Sequence, residues 1–170
     1  MLLRPALLLL SLLATSCAGL EPRTAERAEA VLAGSDGSPR GRATLAGANN
    51  SVVLAVNAEG LPAGAHGIHL HAVGRCDAPD FASAGPHWNP TQRKHGRDNP
   101  EGAHGGDLPN LQANANGRGR LRFALKAAEL AQLFDEDGTA LIIHAAADDY
   151  RTDPSGNSGG RIACGVIARR

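Results

Sequence analysis

Six of the seven histidines in this chain, together with one aspartate, follow a spacing that any fold must close around. They are His69 and His71 in GIHLHAVG, His87 in SAGPHWNP, His95 in RKHG, His104 and Asp107 in GAHGGD, and His144 in ALIIHAA. Neutral imidazole is the commonest protein ligand for copper and zinc, so the pattern reads as a two-metal site. His69 and His71 are two apart on an expected strand. Such residues share a face, and both rings can chelate one ion. His144, on a distant strand, can complete that pair. His87, His95, His104 and Asp107 supply three nitrogens and one oxygen, a donor set suited to closed tetrahedral zinc. His66 stands at an odd offset from His69 and His71 and reads as a hydrogen-bonded structural histidine.

The rest of the chain is patterned for strands. From Ala28, short apolar runs alternate with turn clusters: AEAVLAG, GRATLAG, SVVLAVNA, then GIHLHAVG. Runs this short favour an antiparallel all-β sandwich or barrel. Arg75 to about Asn114 is rich in Gly, Pro, Asn and His and has no strand pattern. A loop of that length is functional or disordered, and its histidines argue for function. In GRGRLRFALKA, Leu121, Phe123 and Leu125 alternate with polar residues and mark a half-buried strand. AELAQLFDEDG is a short helix or a turn. ALIIHAA and RIACGVIA are further strands, separated by a second loop, DDYRTDPSGNSGG. Aromatics make up only 3% of residues, so the core must come from Val, Ile, Leu and Ala. The 17 basic and 17 acidic residues balance, and no basic run points to nucleic acid.

Residues 1–16 read as a signal peptide. Arg4 is an early positive charge, and the apolar run from Ala6 to Ala14 is too short to span a bilayer. Residues 17–27 read as a flexible tether and 28–170 as the folded domain. Export to the periplasm or cell envelope implies an oxidising compartment. Cys76 and Cys164 lie within the domain and can pair. Cys17 is left over, directly after Ala14, Thr15 and Ser16. It resembles the lipid-modified first residue of a bacterial lipoprotein, which would anchor the protein to a membrane. Ordinary cleavage after Ala18 would discard it instead.

GIHLHAVG, SAGPHWNP, RKHG, HGGDLPN, the IIHA strand and GGRIACGVI together closely resemble the copper/zinc superoxide dismutases, in particular the secreted bacterial branch. The resemblance runs from about Ala28 to Ile167. It implies an eight-stranded antiparallel Greek-key β-barrel, immunoglobulin-like, with two long functional loops. It implies an enzyme that dismutes superoxide to oxygen and hydrogen peroxide in antioxidant defence. Copper would be held by His69, His71, His87 and His144, and zinc by His87, His95, His104 and Asp107. His87 would then bridge the two ions as an imidazolate and exchange a proton during turnover. Asp148 would link a copper histidine to a zinc histidine, His69 to His95. Arg161 would hold the superoxide anion beside copper, and Cys76 and Cys164 would form a disulfide. The resemblance leaves both a homodimer and a monomer open.

The second loop carries Arg151 and Arg161 against Asp148, Asp149 and Asp153, so Arg93, Lys94 and Arg97 are the candidates for steering the anion. The alternative function is a periplasmic copper and zinc buffer without catalysis. A buffer would need the ligands but neither Arg161 nor a shared histidine. A catalytically dead relative would be expected to lack copper ligands, and this chain lacks none.

Overall fold

The computed structural model describes residues 27–48, 51–126 and 131–170. The expected signal peptide, most of the tether and Cys17 lie outside these residues.

Alternation builds the wall. In β1 (Arg27–Gly34), Ala28, Ala30 and Leu32 are buried while their neighbours are not. β2 (Pro39–Ala48) and β3 (Ser51–Ala58) send Ala43, Leu45, Val52, Leu54 and Val56 to the same interior. β4 (Gly64–His66) and β5 (Ile68–His71) follow, then β6 (Leu111–Ala113) and β7 (Gly119–Lys126). Leu121, Phe123 and Leu125 of β7 pack on the core, as their period-two pattern requires. β8 (Ala140–His144), β9 (Arg161–Val166) and β10 (Ala168–Arg169) complete the chain.

All pairings are antiparallel, in the order β4-β6-β7-β3-β2-β1-β9-β8-β5, with β10 on β1. The two ends of this path, β4 and β5, are separated in sequence by Gly67 alone, so the sheet is a nearly closed barrel. Among the described residues there are ten strands. Eight emerge when β4 and β5 are counted as one strand broken at Gly67 and β10 as the continuation of β9. The connections β3–β4 and β7–β8 pass over intervening strands, which is the Greek-key feature.

Sequence and structure differ in small ways. β1 already includes Arg27, which pairs with Ala46. The first loop contains β6, whose three residues pair with Gly64–His66. So short a strand shows no periodicity of its own, and its partner defines it. AELAQLFDEDG contains a 3-10 turn at Ala131–Phe134, with Leu133 plugged into the core.

β5 and β8 are buried on both faces, and this positions the site. Ile68, Leu70, Leu141 and Ile143 face the barrel core. Ala140 and Ile142 face outward and pack with Phe81, Ala84 and Cys164 beneath the first loop. Pairing His69 with Ile142 and His71 with Ala140 puts both histidines on this covered outer face.

Candidate metal centre

The first loop is stitched to the barrel by backbone. Trp88 N–H donates to Leu70 O at 2.8 Å, and Leu70 N–H donates to Gly106 O at 3.0 Å. His87 is thereby set opposite His71, and Asp107 opposite His69. β8 delivers His144, whose N–H donates to Gly67 O at 2.8 Å. Six imidazoles collect here, with the His69 and His87 rings stacked at 3.9 Å.

Four of these rings share one property. Each engages an oxygen through one nitrogen: His69 Nε2 with Asp148 Oδ2 at 2.7 Å, and His71 Nδ1 with Gly85 O at 2.8 Å. His87 Nδ1 meets Asp107 Oδ1 at 3.1 Å, and His144 Nδ1 meets Gly159 O at 3.1 Å. The opposite nitrogens, His69 Nδ1, His71 Nε2, His87 Nε2 and His144 Nε2, are buried without a hydrogen-bond partner. A neutral imidazole that donates through one nitrogen presents a lone pair on the other. These four residues offer donor atoms within 4.8 Å of one another. Lone pairs converging in a dry site with no proton donor fit a bound cation.

On the other side of His87, one carboxylate oxygen gathers three rings. Asp107 Oδ1 lies 3.1 Å from His87 Nδ1, 3.1 Å from His95 Nδ1 and 3.3 Å from His104 Nδ1. Bonds of about 2.0–2.1 Å give a tetrahedral site a ligand–ligand edge of about 3.3 Å, so the separations suit zinc. By donor distance alone, His69 also falls in a group with His87, His95 and Asp107. His69 has Nε2 engaged by Asp148 and Nδ1 aimed at the other cluster, whereas His104 Nδ1 is a buried orphan beside Asp107. His104 is therefore the fitting fourth donor.

Asp148 spans the two clusters. Its Oδ2 meets His69 Nε2 at 2.7 Å and its Oδ1 meets His95 Nε2 at 3.0 Å. It is held in turn by partners that sequence reasoning missed. Asn110 Oδ1 accepts from Asp148 N–H at 2.8 Å, and Asn110 Nδ2 donates to Asp148 O at 2.9 Å. The Tyr150 hydroxyl accepts from Asn110 N–H at 2.6 Å, and Asp153 accepts from His95 N–H at 2.6 Å. Asn110 lies three residues past Asp107 inside HGGDLPN, a signal read only for its histidine and aspartate. Gly156 has φ +63°, and a Cβ there would collide with the Asp148 carboxylate.

Cys76 and Cys164 form a disulfide that bridges 88 positions. It pins the loop whose carbonyls orient Arg161. Arg161 Nη1 donates to Phe81 O at 2.6 Å and Nη2 to Gly85 O at 2.7 Å. Gly85 O also receives His71 Nδ1, so cation and ring share one acceptor. Arg161 lines an open depression of about 520 Å³ with Asp80, Pro86 and Gly160. Burial draws its guanidinium below the ordinary value and Asp80 opposes this; an arginine remains charged at neutral pH. Arg93, Lys94, Arg97 and Arg151 do not line this depression. Arg93 bonds Glu101 O and Gly102 O, Lys94 pairs with Glu101 at 3.0 Å, and Arg97 lies 5.0 Å over Phe123. His66, as expected, is structural: its nitrogens meet His144 O at 2.8 Å and Pro62 O at 2.9 Å.

Burial pushes His71 down to about 2, His144 to about 3 and His87 to about 4. His95 is also penalised by burial, but Asp107 and Asp148 on its two sides outweigh that and raise it to about 9. Both carboxylates are drawn well below the usual range; burial opposes this, and the histidine contacts prevail. In the metal-free protein the three depressed histidines refuse protons that the unfolded chain accepts below about pH 6.5. Stability should therefore fall as pH drops from about 6.5 to about 4, by up to roughly 4 kcal/mol per pH unit for three rings. His95 has the opposite sign, and its contribution is lost as pH rises through about 9. Urea titrations of metal-free and metal-loaded protein at pH 7 and pH 5 check this. The loaded protein should be more stable at both pH values and lose at least as much between them, because liganded rings also refuse protons that the unfolded chain accepts.

The family model for copper/zinc superoxide dismutase (SODC) matches residues 39–167. The chain is 46% identical over 147 residues to superoxide dismutase [Cu-Zn] 2 of Aquifex aeolicus, covering 83% of this chain and 86% of that one. It is 40% identical over 147 residues to superoxide dismutase [Cu-Zn] of Caulobacter vibrioides, covering 82% and 84%. A solved SOD-like protein from Bacillus subtilis superposes with a TM-score of 0.75 at 38% identity, over 81% of this chain and 96% of that one. The donor clusters, the disulfide and these likenesses agree, and the chain belongs to the copper/zinc superoxide dismutase family.

Proposed function

We propose that this member of the family dismutes superoxide at the bridged pair of clusters around His87. His69, His71, His87 and His144 would hold copper, and His87, His95, His104 and Asp107 would hold zinc. The observation that carries this is the set of four buried, partnerless ring nitrogens on one side of His87. On its other side three ring nitrogens crowd one Asp107 oxygen. Two superoxide ions and two protons give one oxygen and one hydrogen peroxide. Bound copper supplies the one-electron redox couple, and zinc, which has none, supplies charge and shape.

The protein's residues do the rest. Arg161 holds the anion at the floor of the depression with a fixed fork of donors. His87 faces the zinc donors through Nδ1 and the copper donors through Nε2. It can stay held on one side while Nε2 takes up and releases a proton. Asp148 fixes the orientation of His69 and His95 together, coupling the two halves. The disulfide supports export to an oxidising envelope compartment. Cys17, with residues 17–26 as a tether, serves as an acylated anchor there.

Arg161→Ala should lower kcat/KM roughly 10–100-fold, the worth of one charge-assisted hydrogen bond at about 1.5–3 kcal/mol. Elemental analysis of the variant should still return copper and zinc in equal amounts. A wild-type protein that binds both ions in that ratio and never dismutates superoxide would sink the enzymatic reading in favour of a metal buffer.

A further inference from the structure

The chain has no net charge, yet one face of the barrel is arginine-rich. Across the strands, Val31, Arg42, Asn57 and Arg120 are successive register neighbours on β1, β2, β3 and β7. Arg122 lies beside Ala55 in the next outward row, and Arg118 precedes β7. Arg42, Arg118, Arg120 and Arg122 are all exposed. Arg42 is paired with Glu29 at 2.8 Å. Arg118, Arg120 and Arg122 have no side-chain partner among the described residues. Between Arg42 and the β7 arginines runs a groove of about 510 Å³ that also touches Val31 and Glu59. Gly41, Asn57, Ala58 and Gly119 also line it. The fold does not need these cations: Leu121, Phe123 and Leu125 do the inward packing of β7. Like charges placed side by side on a sheet repel.

We propose that this arginine face rests on an anionic lipid surface, with headgroup phosphates in the groove and along Arg118, Arg120 and Arg122. Two observations select that occupant. The charge is complementary to phosphate, which arginine binds through a fixed fork. The chain also enters the domain at Arg27, an exposed residue at the start of β1 in the same run of strands. Residues 17–26 can extend at most about 35 Å. The proposal rests on the anchoring reading of Cys17, which would keep this face within reach of headgroups. The site strands β5 and β8 lie at the far end of the sheet order from β7 and β3.

The test uses the full chain carrying Cys17→Ser, so that no acyl group contributes. Sedimentation with vesicles of phosphatidylcholine, with and without phosphatidylglycerol, compares it with the same chain bearing Arg118→Gln, Arg120→Gln and Arg122→Gln. Each arginine near an anionic surface is worth about fivefold in binding, so the triple variant should bind phosphatidylglycerol vesicles about 10²-fold more weakly. The gap should close at high salt, and the two proteins should bind pure phosphatidylcholine alike. A control with Arg75→Gln, Lys94→Gln and Arg151→Gln removes the same charge elsewhere and should lose far less. Equal losses from both triples, or an unchanged preference in the arginine triple, would overturn the proposal. So would a parent dimer that the arginine triple dissolves, since a second copy would then cover the face. Mass analysis of the exported N-terminus separately decides whether Cys17 is acylated.

Discussion

Replacing His87 with alanine should abolish dismutation, leaving less than about 1% of the parent rate, and should weaken both metal sites at once. Asp148 touches both clusters as a supporting partner, but only His87 would donate directly to an ion in each. His87 Nε2 is one of the four partnerless nitrogens of the proposed copper site, and Nδ1 is one of the three that crowd Asp107 in the proposed zinc site. Losing a mere supporting partner of a metal ligand typically costs 10–100-fold in affinity. Losing a direct donor from both clusters should cost at least that at each. Competition with a chelator, measured separately for copper and zinc, checks it. His66→Ala is the contrast: His66 meets only two backbone carbonyls, so it should lower stability and leave the metal ratio unchanged. If His87→Ala kept zinc with parental affinity, the shared-ring reading would fall.

Removing the disulfide, as Cys76→Ser with Cys164→Ser, should have the largest effect on stability. A crosslink spanning 88 positions restricts the unfolded chain by roughly 4–5 kcal/mol in the chain-entropy account. For a domain of this size that is a drop in Tm of about 10–20 °C. Calorimetry of the metal-free protein isolates the term from metal binding. The same change should also cost activity while both metals stay bound. The bridge holds the loop that supplies Phe81 O and Gly85 O to Arg161. Arg161 would keep its charge and lose its aim. Parental activity in the reduced variant would show that β9 alone orients the guanidinium.

Much of the site is legible in the residue pattern alone. His69 and His71 share a face because they are two apart on a strand, and the pairing of β5 with β8 bears this out. His87, His95, His104 and Asp107 could be named as a zinc set from donor type and count, and they do converge. The proposed sharing of His87 between two ions could not be read from spacing; resemblance supplied it. β6 was invisible, because three residues carry too little pattern to announce a strand. Asn110 and Tyr150 were missed because their side chains bond the backbone groups of Asp148 and of Asn110, and any residue offers such groups. The candidate steering cations Arg93, Lys94 and Arg97 sit in the right loop by sequence. Their side chains contact loop carbonyls, Glu101 and the Phe123 ring, and none lines the depression over Arg161.

The sequence by itself determined the donor chemistry, the strand parity and the two cysteines available to pair. Each of these follows from residue type or from a period of two along a single strand, and neither needs a distant partner. Only the tertiary structure decided that His144 meets His69, that carbonyls from the first loop aim Arg161, and that Arg42 and Arg120 flank one groove. Those facts depend on register between strands and on how the long loops close. Both are set by packing summed over the whole barrel, which no local stretch of residues contains.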